Sequence, residues 1–215
     1  MDQLSTPYGE ISLARYPSRD PEPLLAYDAA DRYLLAEAAE RHAGAAAILV
    51  VGDRHGTLTT ALAGVADVTM WSDSALSRIV ARGNLERNGR AALVADTPPE
   101  GRYDLVVVRP GKARALLAAQ LAHVAPLLEA ATPVVTGDMV KHLGRWMTDV
   151  LEEQIGTTTA SLASGKARLL RSVRDERRGS TPPWTSYPAP GGVLLHNAPG
   201  CFAAGGLDAG ARLLL

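Results

Sequence analysis

Length, composition and charge exclude several classes of protein. The chain has 215 residues, of which 47% are hydrophobic and 21% charged, so a collagen, a coiled coil and a disordered chain are excluded. The net charge of −1 means that any contact with nucleic acid must come from a local basic patch. The single cysteine, Cys201, excludes an internal disulfide and is typical of a cytoplasmic protein.

Neither a targeting segment nor a membrane-spanning segment is predicted. Residues 1–15 lack the basic start and the apolar stretch of a signal peptide. The longest apolar runs, such as residues 43–51, are too short to cross a bilayer. We therefore expect a cytoplasmic protein without a membrane partner.

Most of the chain alternates between apolar runs and helical patterns. Residues 1–22 are polar and contain prolines, which indicates an N-terminal arm or a short β element ahead of the fold proper. Three- and four-residue apolar spacing predicts helices over residues 24–42, 58–63, 75–88, 112–128 and 139–154. Short apolar runs predict strands over residues 46–51, 68–71, 92–95, 103–108 and 133–136, followed by two closing β segments over 157–162 and 166–173.

This order of elements predicts an α/β fold. Strands that alternate with helices pair in parallel through right-handed crossovers, and the helices cover both faces of the sheet. The two closing segments are joined by a short turn at Ser164 and Gly165 and are expected to form an antiparallel hairpin. The prediction is a Rossmann-like, mostly parallel seven-stranded sheet, and its layout resembles that of class I methyltransferases.

The composition changes after Val173. Residues 174–192 are rich in Pro, Gly and Arg, which is typical of a linker or an extended segment. Residues 193–195 predict one more strand, and residues 206–215 predict the opening turns of a helix that would lead into a further domain. The expected organisation is an arm over 1–22, a methyltransferase-like domain over 23–173, and a linker with the start of a missing domain over 174–215.

The turn after the first predicted strand allows two interpretations. Ligands of open α/β sheets bind at the carboxyl ends of the strands, where this turn lies. It has only two glycines, and Arg54 stands where a glycine would let the backbone approach a cofactor. The turn is either the remnant of a cofactor site, with Asp53 and Gly56 as contacts, or a plain strand-to-helix turn.

Two acidic residues after the next strands are similarly ambiguous. Asp73 follows the second strand, where an acidic residue holds ribose hydroxyls in related folds. Ser72 or Asp73 could equally be the N-cap of the next helix. Asp96, after the third strand, has the same two interpretations.

Basic residues form two sets. Arg109, Lys112 and Arg114 follow the fourth strand, where a helix start also favours anions, so they predict either phosphate or RNA backbone binding or a solvated helix start. The second set is Lys166, Arg168, Arg171, Arg174, Arg177 and Arg178. Two-residue strand periodicity places Arg171 on the face opposite Lys166 and Arg168, so these charges could equally protect an edge strand.

No residue pattern predicts a metal site or a catalytic nucleophile. The five histidines show no ligand spacing, and no serine lies in a nucleophile elbow. Cys201 has no evident base partner.

Several motifs, in chain order, match one known family. Residues 25–35 (LAYDAADRYLL) resemble its opening L-x-A-W-D-A-A-D-E-Y-L-L. Further matches are residues 72–74 with 84–89 (NLERNG), residues 107–121, residues 157–169, and residues 206–214 (GLDAGARLL). The last stretch resembles the L-D-x-G-x-R-x-L-L that introduces the family's second domain. The sequence thus resembles the two-domain ribosomal RNA guanine-N2-methyltransferases of the RlmG/RsmC type.

The resemblance implies two methyltransferase-like domains in tandem, of which the C-terminal one binds S-adenosylmethionine and is catalytic. A working domain of this kind has an acidic residue and a D-x-G-x-G-x-G loop after its first strand, and Asn-Pro-Pro-aromatic after its fourth. Here Val50 and Arg54 match the acid and the central glycine, and residues 109–112 (RPGK) match the second motif. Arginine cannot accept a hydrogen bond from a guanine amine, and lysine offers no aromatic face for a flipped base.

The preferred hypothesis is a catalytically silent N-terminal domain that holds no cofactor, supports its own C-terminal catalytic domain and helps recruit ribosomal RNA. Trp184 and Tyr187 would stack on unpaired bases. The expected basic RNA contacts are Arg54, Arg109, Lys112, Arg114, Arg174, Arg177 and Arg178.

Two alternatives remain open. One is an active S-adenosylmethionine-dependent methyltransferase with an unorthodox pocket, in which Asp73 binds the ribose, Asp96 lies near the adenine, and Asp53 and Gly56 contact the cofactor. The other is an interaction module that docks a partner through its apolar C-terminus, residues 213–215.

Overall fold

The computed structural model describes residues 1–17, 22–176 and 179–214. Its α-helices are α1 (Ala29–Arg41), α2 (Thr57–Leu62), α3 (Ala75–Arg87), α4 (Arg114–Val124), α5 (Arg145–Gln154) and α6 (Ala209–Leu214). Its strands are β1 (Asp2–Thr6), β2 (Gly9–Leu13), β3 (Ala47–Val51), β4 (Asp67–Trp71), β5 (Leu93–Ala95), β6 (Leu105–Val108), β7 (Pro133–Met139), β8 (Thr158–Ala160), β9 (Ala167–Val173), β10 (Thr185–Pro188) and β11 (Leu194–Asn197).

Seven strands form one sheet in the order β5-β4-β3-β6-β7-β9-β8. Strands β3 to β7 are parallel, whereas β9 runs antiparallel to both β7 and β8. The predicted fold class is confirmed, including the closing hairpin. The central strands are apolar throughout because helices cover both faces of the sheet.

Strand β3 illustrates how the sheet divides the core into two layers. Ile48 and Val50 pack with residues of α1 and α2, whereas Leu49 and Val51 pack with residues of α4 and α5. Successive side chains of a strand point to opposite faces, so a run of five apolar residues is needed to bury both. Among the helices described, none combines the length and the apolar character that crossing a bilayer requires.

Strands β1 and β2 contribute side chains to the core, so the expectation that the fold begins after residue 22 is wrong. Strands β1 and β2 form the predicted β element, an antiparallel hairpin. Leu4, Ile11 and Leu13 are at most 1% exposed and pack in the layer of α1 and α2. Each strand supplies only one or two apolar residues, so the sequence pattern was too short to indicate burial.

Helix α1 begins five residues later than predicted because a capping box fixes its start. The Asp28 carboxylate accepts hydrogen bonds from the N–H groups of Ala30 (2.8 Å) and Asp31 (3.3 Å). In return, the Asp31 carboxylate accepts one from the Asp28 N–H (2.8 Å). Such reciprocal bonds satisfy N–H groups that have no partner within the helix.

An ion pair connects helix α1 to β9. Its carboxylate, on α1, is buried and its guanidinium, on β9, is half-buried. Arg171 donates from Nε and Nη2 to the two carboxylate oxygens of Glu37, at 2.5 and 2.7 Å. Burial alone would raise the pKa of Glu37, but the Arg171 guanidinium holds it below its ordinary value. Strand β9 lies between β7 and β8, so protection of an edge strand does not explain Arg171.

The segment predicted to be a linker contains a strand. Strand β10 pairs with β11 in an antiparallel hairpin, and β11 corresponds to the strand predicted over 193–195. Prolines on both sides of β10 concealed it from the pattern. Arg177 and Arg178 lie outside the described residues.

Candidate functional site

A cavity of about 250 Å³ opens at the carboxyl ends of β3, β4 and β6. It is lined by Gly52 after β3, by Asp73 after β4 and by Arg109 after β6. Ligands of open α/β sheets bind at this place. The volume is below the roughly 300–1,000 Å³ of pockets that enclose small-molecule ligands.

In the turn after β3, Asp53 and Gly56 make contacts that stabilise the turn itself. Asp53 is 1% exposed, and its carboxylate accepts hydrogen bonds from the N–H groups of Thr57 (3.2 Å) and Thr59 (2.9 Å). Gly56 has a φ of +73°, and a Cβ there would lie 2.5 Å from the Cα of Ala81 on α3. These contacts are those of a plain strand-to-helix turn, in which Asp53 starts α2 and Gly56 lets two helices approach.

Gly52 brings the same turn against the neighbouring strands. Its φ is +74°, and a Cβ at this position would lie 2.3 Å from the carbonyl oxygen of Arg109. Its N–H donates to the carbonyl of Trp71 (3.0 Å). The backbone that would have to approach a ligand therefore contacts β4 and the end of β6.

Arg109 is the centre of a buried ion-pair network. Its Nη2 lies 2.8 Å from Asp28 Oδ2 and 3.6 Å from Asp138 Oδ1, and its Nε lies 3.3 Å from Asp31 Oδ1. Nη1 donates to the carbonyl of Gly137 (3.3 Å). The side chain thus joins the end of β6 to the start of α1 and to the end of β7.

The prediction that Arg109 presents a cation at the mouth of the cleft is wrong. Arg109 is 3% exposed and is surrounded by three carboxylates, so its charge is not available to a phosphate. The sequence reasoning assigned no role to Asp28, Asp31 or Asp138. The D-A-A-D motif was a usable signal for the first two, whereas Asp138 lies beyond the predicted end of its strand.

Arg54 reaches across the crevice. Its Nη2 lies 3.1 Å from Asp138 Oδ2, and its side chain is 44% exposed. Strand β6 lies between β3 and β7, so the Arg54 side chain passes over the end of β6 to reach Asp138. Arg54, the cation predicted to meet a nucleotide ligand, thus lines the cavity while it is held in an ion pair with Asp138.

The network shifts the pKa values of its carboxylates in opposite directions. Burial raises the pKa of Asp31 to about 7 against the attraction of Arg109, and the charges of Asp28 and Asp53 add to the rise. Burial also acts on Asp28, but the Arg109 guanidinium outweighs it and holds the pKa of Asp28 below its ordinary value.

We expect Asp31→Asn to change how stability depends on pH. The native pKa of about 7 exceeds the value of about 3.9 for an unfolded aspartate, so the native state binds the extra proton between them. The stability that Asp31 contributes is full below pH about 4 and is lost as the pH rises through 7. Urea denaturation at pH 5 and pH 8 should show the variant gaining stability relative to the wild type at pH 8. A difference that does not change with pH would contradict the raised pKa.

The structure separates the two acidic residues predicted to bind a cofactor. Ser74, and neither Ser72 nor Asp73, is the N-cap of α3, because its Oγ accepts from the N–H of Ser77 (3.2 Å). Asp73 is exposed and lines the cavity. Asp96 is exposed after β5 and is not among the described residues that line it.

The residues predicted to contact RNA lie at opposite ends of the strands of the sheet. Lys112 and Arg114 are exposed after β6, at the carboxyl edge. Arg174 is half-buried after β9, at the other edge, where its Nη1 donates to the carbonyl of Ile155 (3.4 Å). Trp184, in the C-terminal segment, is 63% exposed. The predicted residues therefore do not form one continuous surface.

Comparison with solved structures defines the class of the fold. The 16S rRNA N2 G1207 methyltransferase RsmC of T. thermophilus, solved with AdoMet and guanosine, matches 99% of this chain and 56% of its own, with a TM-score of 0.70 and 22% identity. The ribosomal protein L11 methylase of Lactobacillus delbrueckii subsp. bulgaricus matches 68% of this chain and 79% of its own, with a TM-score of 0.56 and 17% identity. The fold is that of the class I methyltransferases.

Sequence comparison gives the family. The family described as the RLMG N-terminal domain matches residues 1–176. Proteins named ribosomal RNA large subunit methyltransferase G are 38% identical in Pseudomonas entomophila (strain L48) and 39% identical in Pseudomonas syringae pv. tomato, each over 224 residues. All of this chain is matched, and it spans 60% of the length of each relative. The chain belongs to the RLMG N-terminal domain family, which confirms the resemblance seen in its motifs.

Proposed function

We propose that this chain is the non-catalytic, methyltransferase-like domain of a cytoplasmic ribosomal RNA guanine-N2-methyltransferase. It supports a catalytic domain and helps bind the RNA substrate. The observation that carries the proposal is the Arg109 network, which joins α1, β6 and β7 where an active domain would need an open crevice. The relatives named ribosomal RNA large subunit methyltransferase G supply the substrate class.

The residues of the crevice do not fit S-adenosylmethionine. The cavity is small, and Gly52 already packs against the carbonyl of Arg109. The Arg54 side chain extends over β6 to Asp138. A bound adenosyl group would have to displace Arg54 and leave the buried Asp138 with one fewer cation, which is costly.

The same residues do not fit methyl transfer to guanine. The reaction needs an acceptor for the hydrogens of the exocyclic amine and a flat partner for the flipped base. Arg109 offers only donors, and they are directed at carboxylates and a carbonyl. Asp138 accepts from the N–H of Met139 (2.8 Å) and from Arg54, so both of its oxygens are engaged.

Calorimetric titration tests the proposal. We expect no detectable heat when the 215-residue chain is titrated with millimolar S-adenosylmethionine or with its demethylated product, because Arg54 and Arg109 occupy the crevice. A positive control is a catalytically active class I methyltransferase titrated in the same buffer. Micromolar affinity of this chain would contradict the proposal.

A second candidate function is an active methyltransferase with an unorthodox pocket. The observation that favours it is Asp73, which is exposed at the cavity and does not cap α3, so its carboxylate could hold ribose hydroxyls. This candidate predicts micromolar binding of S-adenosylmethionine that Asp73→Ala weakens at least about tenfold, whereas Asp96→Ala, outside the cavity, should not.

Support of the catalytic domain is proposed for the C-terminal segment. Trp184, Leu194 and Phe202 are 63%, 55% and 86% exposed there, and exposed large apolar side chains can mark a surface that a protein partner covers. RNA contact is proposed for Lys112 and Arg114, with the exposed part of Arg54 beside them.

A further inference from the structure

All three lysines of the chain lie at the end of the sheet that is formed by the carboxyl ends of its parallel strands. Lys112 follows β6, Lys141 follows β7 and Lys166 precedes β9, which runs antiparallel to β7. The N–H of Val140 donates to the carbonyl of Lys166 (2.8 Å), so Lys141 and Lys166 are neighbours. Strands β6, β7 and β9 are consecutive in the sheet, and neighbouring strands are about 4.8 Å apart. The strand ends that these lysines follow or precede therefore lie within roughly 10 Å of one another.

Two arginines extend this group of cations. Arg114 begins α4 and Arg145 begins α5, and both helices start at the same edge of the sheet. Among the described residues, neither these arginines nor the three lysines have an ion-pair partner, and all five are exposed. We refer to Lys112, Arg114, Lys141, Arg145 and Lys166 as the lysine edge.

Helix stability does not explain these arginines. A cation in the first turn of a helix is unfavourable because it faces the positive end of the helix dipole. Helices α4 and α5 also lack a side-chain cap at Ala113 and Gly144, whereas α1 and α3 are capped by Asp28 and Ser74. Positions that break a local rule without a structural gain are expected where a ligand binds.

Carboxylates near the lysine edge do not neutralise it. Asp28 and Asp138 are engaged by Arg109 and Arg54. Asp73 and Asp96 follow β4 and β5, on the other half of the edge. Asp149 lies one turn into α5 and is the exposed carboxylate nearest to Arg145 along the helix. Five cations thus outnumber one exposed carboxylate on the β6–β7–β9 half.

We propose that the lysine edge binds the phosphate backbone of an RNA helix, an inference that rests on the proposed function and names the surface and the form of RNA. Unpaired bases are bound by stacking on aromatic side chains. The exposed Tyr, Trp and Phe side chains among those described are Tyr16, Trp184 and Phe202, and none of them lies after β6 or β7 or before β9. The exposed ring beside the lysines is the small imidazole of His142. A surface of five cations with one imidazole reads mainly the backbone, and double-stranded RNA is recognised largely in that way.

The test is fluorescence anisotropy with a labelled 20-base-pair RNA duplex of arbitrary sequence, about two turns long. K141E/K166E should weaken binding at least about tenfold and reduce the slope of log affinity against log salt by about two or more. The matched control is R82E/R102E, which makes the same change in net charge away from the lysine edge and should leave binding within about threefold. K141Q/K166Q keeps the test valid if charge reversal disturbs folding, which circular dichroism would reveal.

The outcomes separate this inference from the proposed function. Equal affinity of K141E/K166E and R82E/R102E would overturn the lysine edge while leaving RNA binding in place. Tighter binding of the single strand than of the duplex would overturn the helix as the target. Failure of the wild-type chain to bind either RNA at low salt would overturn RNA recruitment itself and the lysine edge with it.

Discussion

Arg109→Met is expected to lower the free energy of unfolding by about 3–5 kcal/mol. The substitution keeps an unbranched side chain of the length of the arginine stem but removes the cation that Asp28, Asp31 and Asp138 share. Breaking a buried ion pair by removing one partner is costly because the remaining charges stay buried without compensation. Urea denaturation at pH 8 measures the loss.

The matched control for this prediction is Lys112→Met, three positions along the chain and exposed. Its effect should stay within about 0.5 kcal/mol. The loss in Arg109→Met should be smaller at pH 5 than at pH 8, because Asp31, with its pKa of about 7, is then protonated and leaves one fewer carboxylate to balance. A loss below about 1 kcal/mol at pH 8 would mean that the network does not hold α1, β6 and β7 together.

Asn84→Ala is expected to cost about 3 kcal/mol, because it leaves three backbone groups without partners. Asn84 is fully buried on α3, and its Nδ2 donates to the carbonyls of Ala14 (3.0 Å) and His55 (2.8 Å). Its Oδ1 accepts from the N–H of Ala14 (2.9 Å). One turn later, Asn88 makes the same pair of bonds with Ser12 at 2.8 Å each. The side-chain amides of Asn84 and Asn88 thus bond to the backbone of alternate residues, Ala14 and Ser12, as the backbone of an adjacent strand would.

Glu86→Ala is the control for this second prediction, since Glu86 is exposed on the same helix, and its effect should stay within about 0.5 kcal/mol. Hydrogen exchange adds a readout specific to the hairpin, because loss of the Asn84 bonds should speed exchange of the Ala14 amide. Unchanged exchange at Ala14 would show that Asn84 does not hold the N-terminal hairpin.

The central sheet was predictable because its strands are short apolar runs that only a doubly covered parallel sheet can bury. The N-terminal hairpin was not, because it is held by contacts from distant segments, such as the bonds of Asn84 and Asn88 on α3, some seventy residues away in sequence. The start of α1 was misplaced because Leu24 fits the apolar spacing, yet it is 57% exposed. The capping box at Asp28 and Asp31 overrides that spacing.

At the site, the resemblance predicted departures from the motifs of an active methyltransferase, but the sequence could not show which contacts Arg54 and Arg109 make instead. From the sequence alone, Arg109 is expected at the surface like most arginines. Its burial depends on three carboxylates from two distant segments. The clustering of Lys141 and Lys166 with Lys112 likewise depends on the antiparallel return of β9 beside β7. In both cases the decisive contacts are long-range, and residue spacing carries no record of them.

We propose that Arg109 and Arg54 close the cavity that an active domain would keep for its cofactor. The most direct measurement is a crystal structure of this chain grown with several millimolar S-adenosylmethionine. We expect that structure to show Arg109 paired with Asp28, Arg54 paired with Asp138, and no adenosyl group between Gly52 and Asp73. An adenosyl group bound at Asp73, with Arg54 turned away from Asp138, would contradict it.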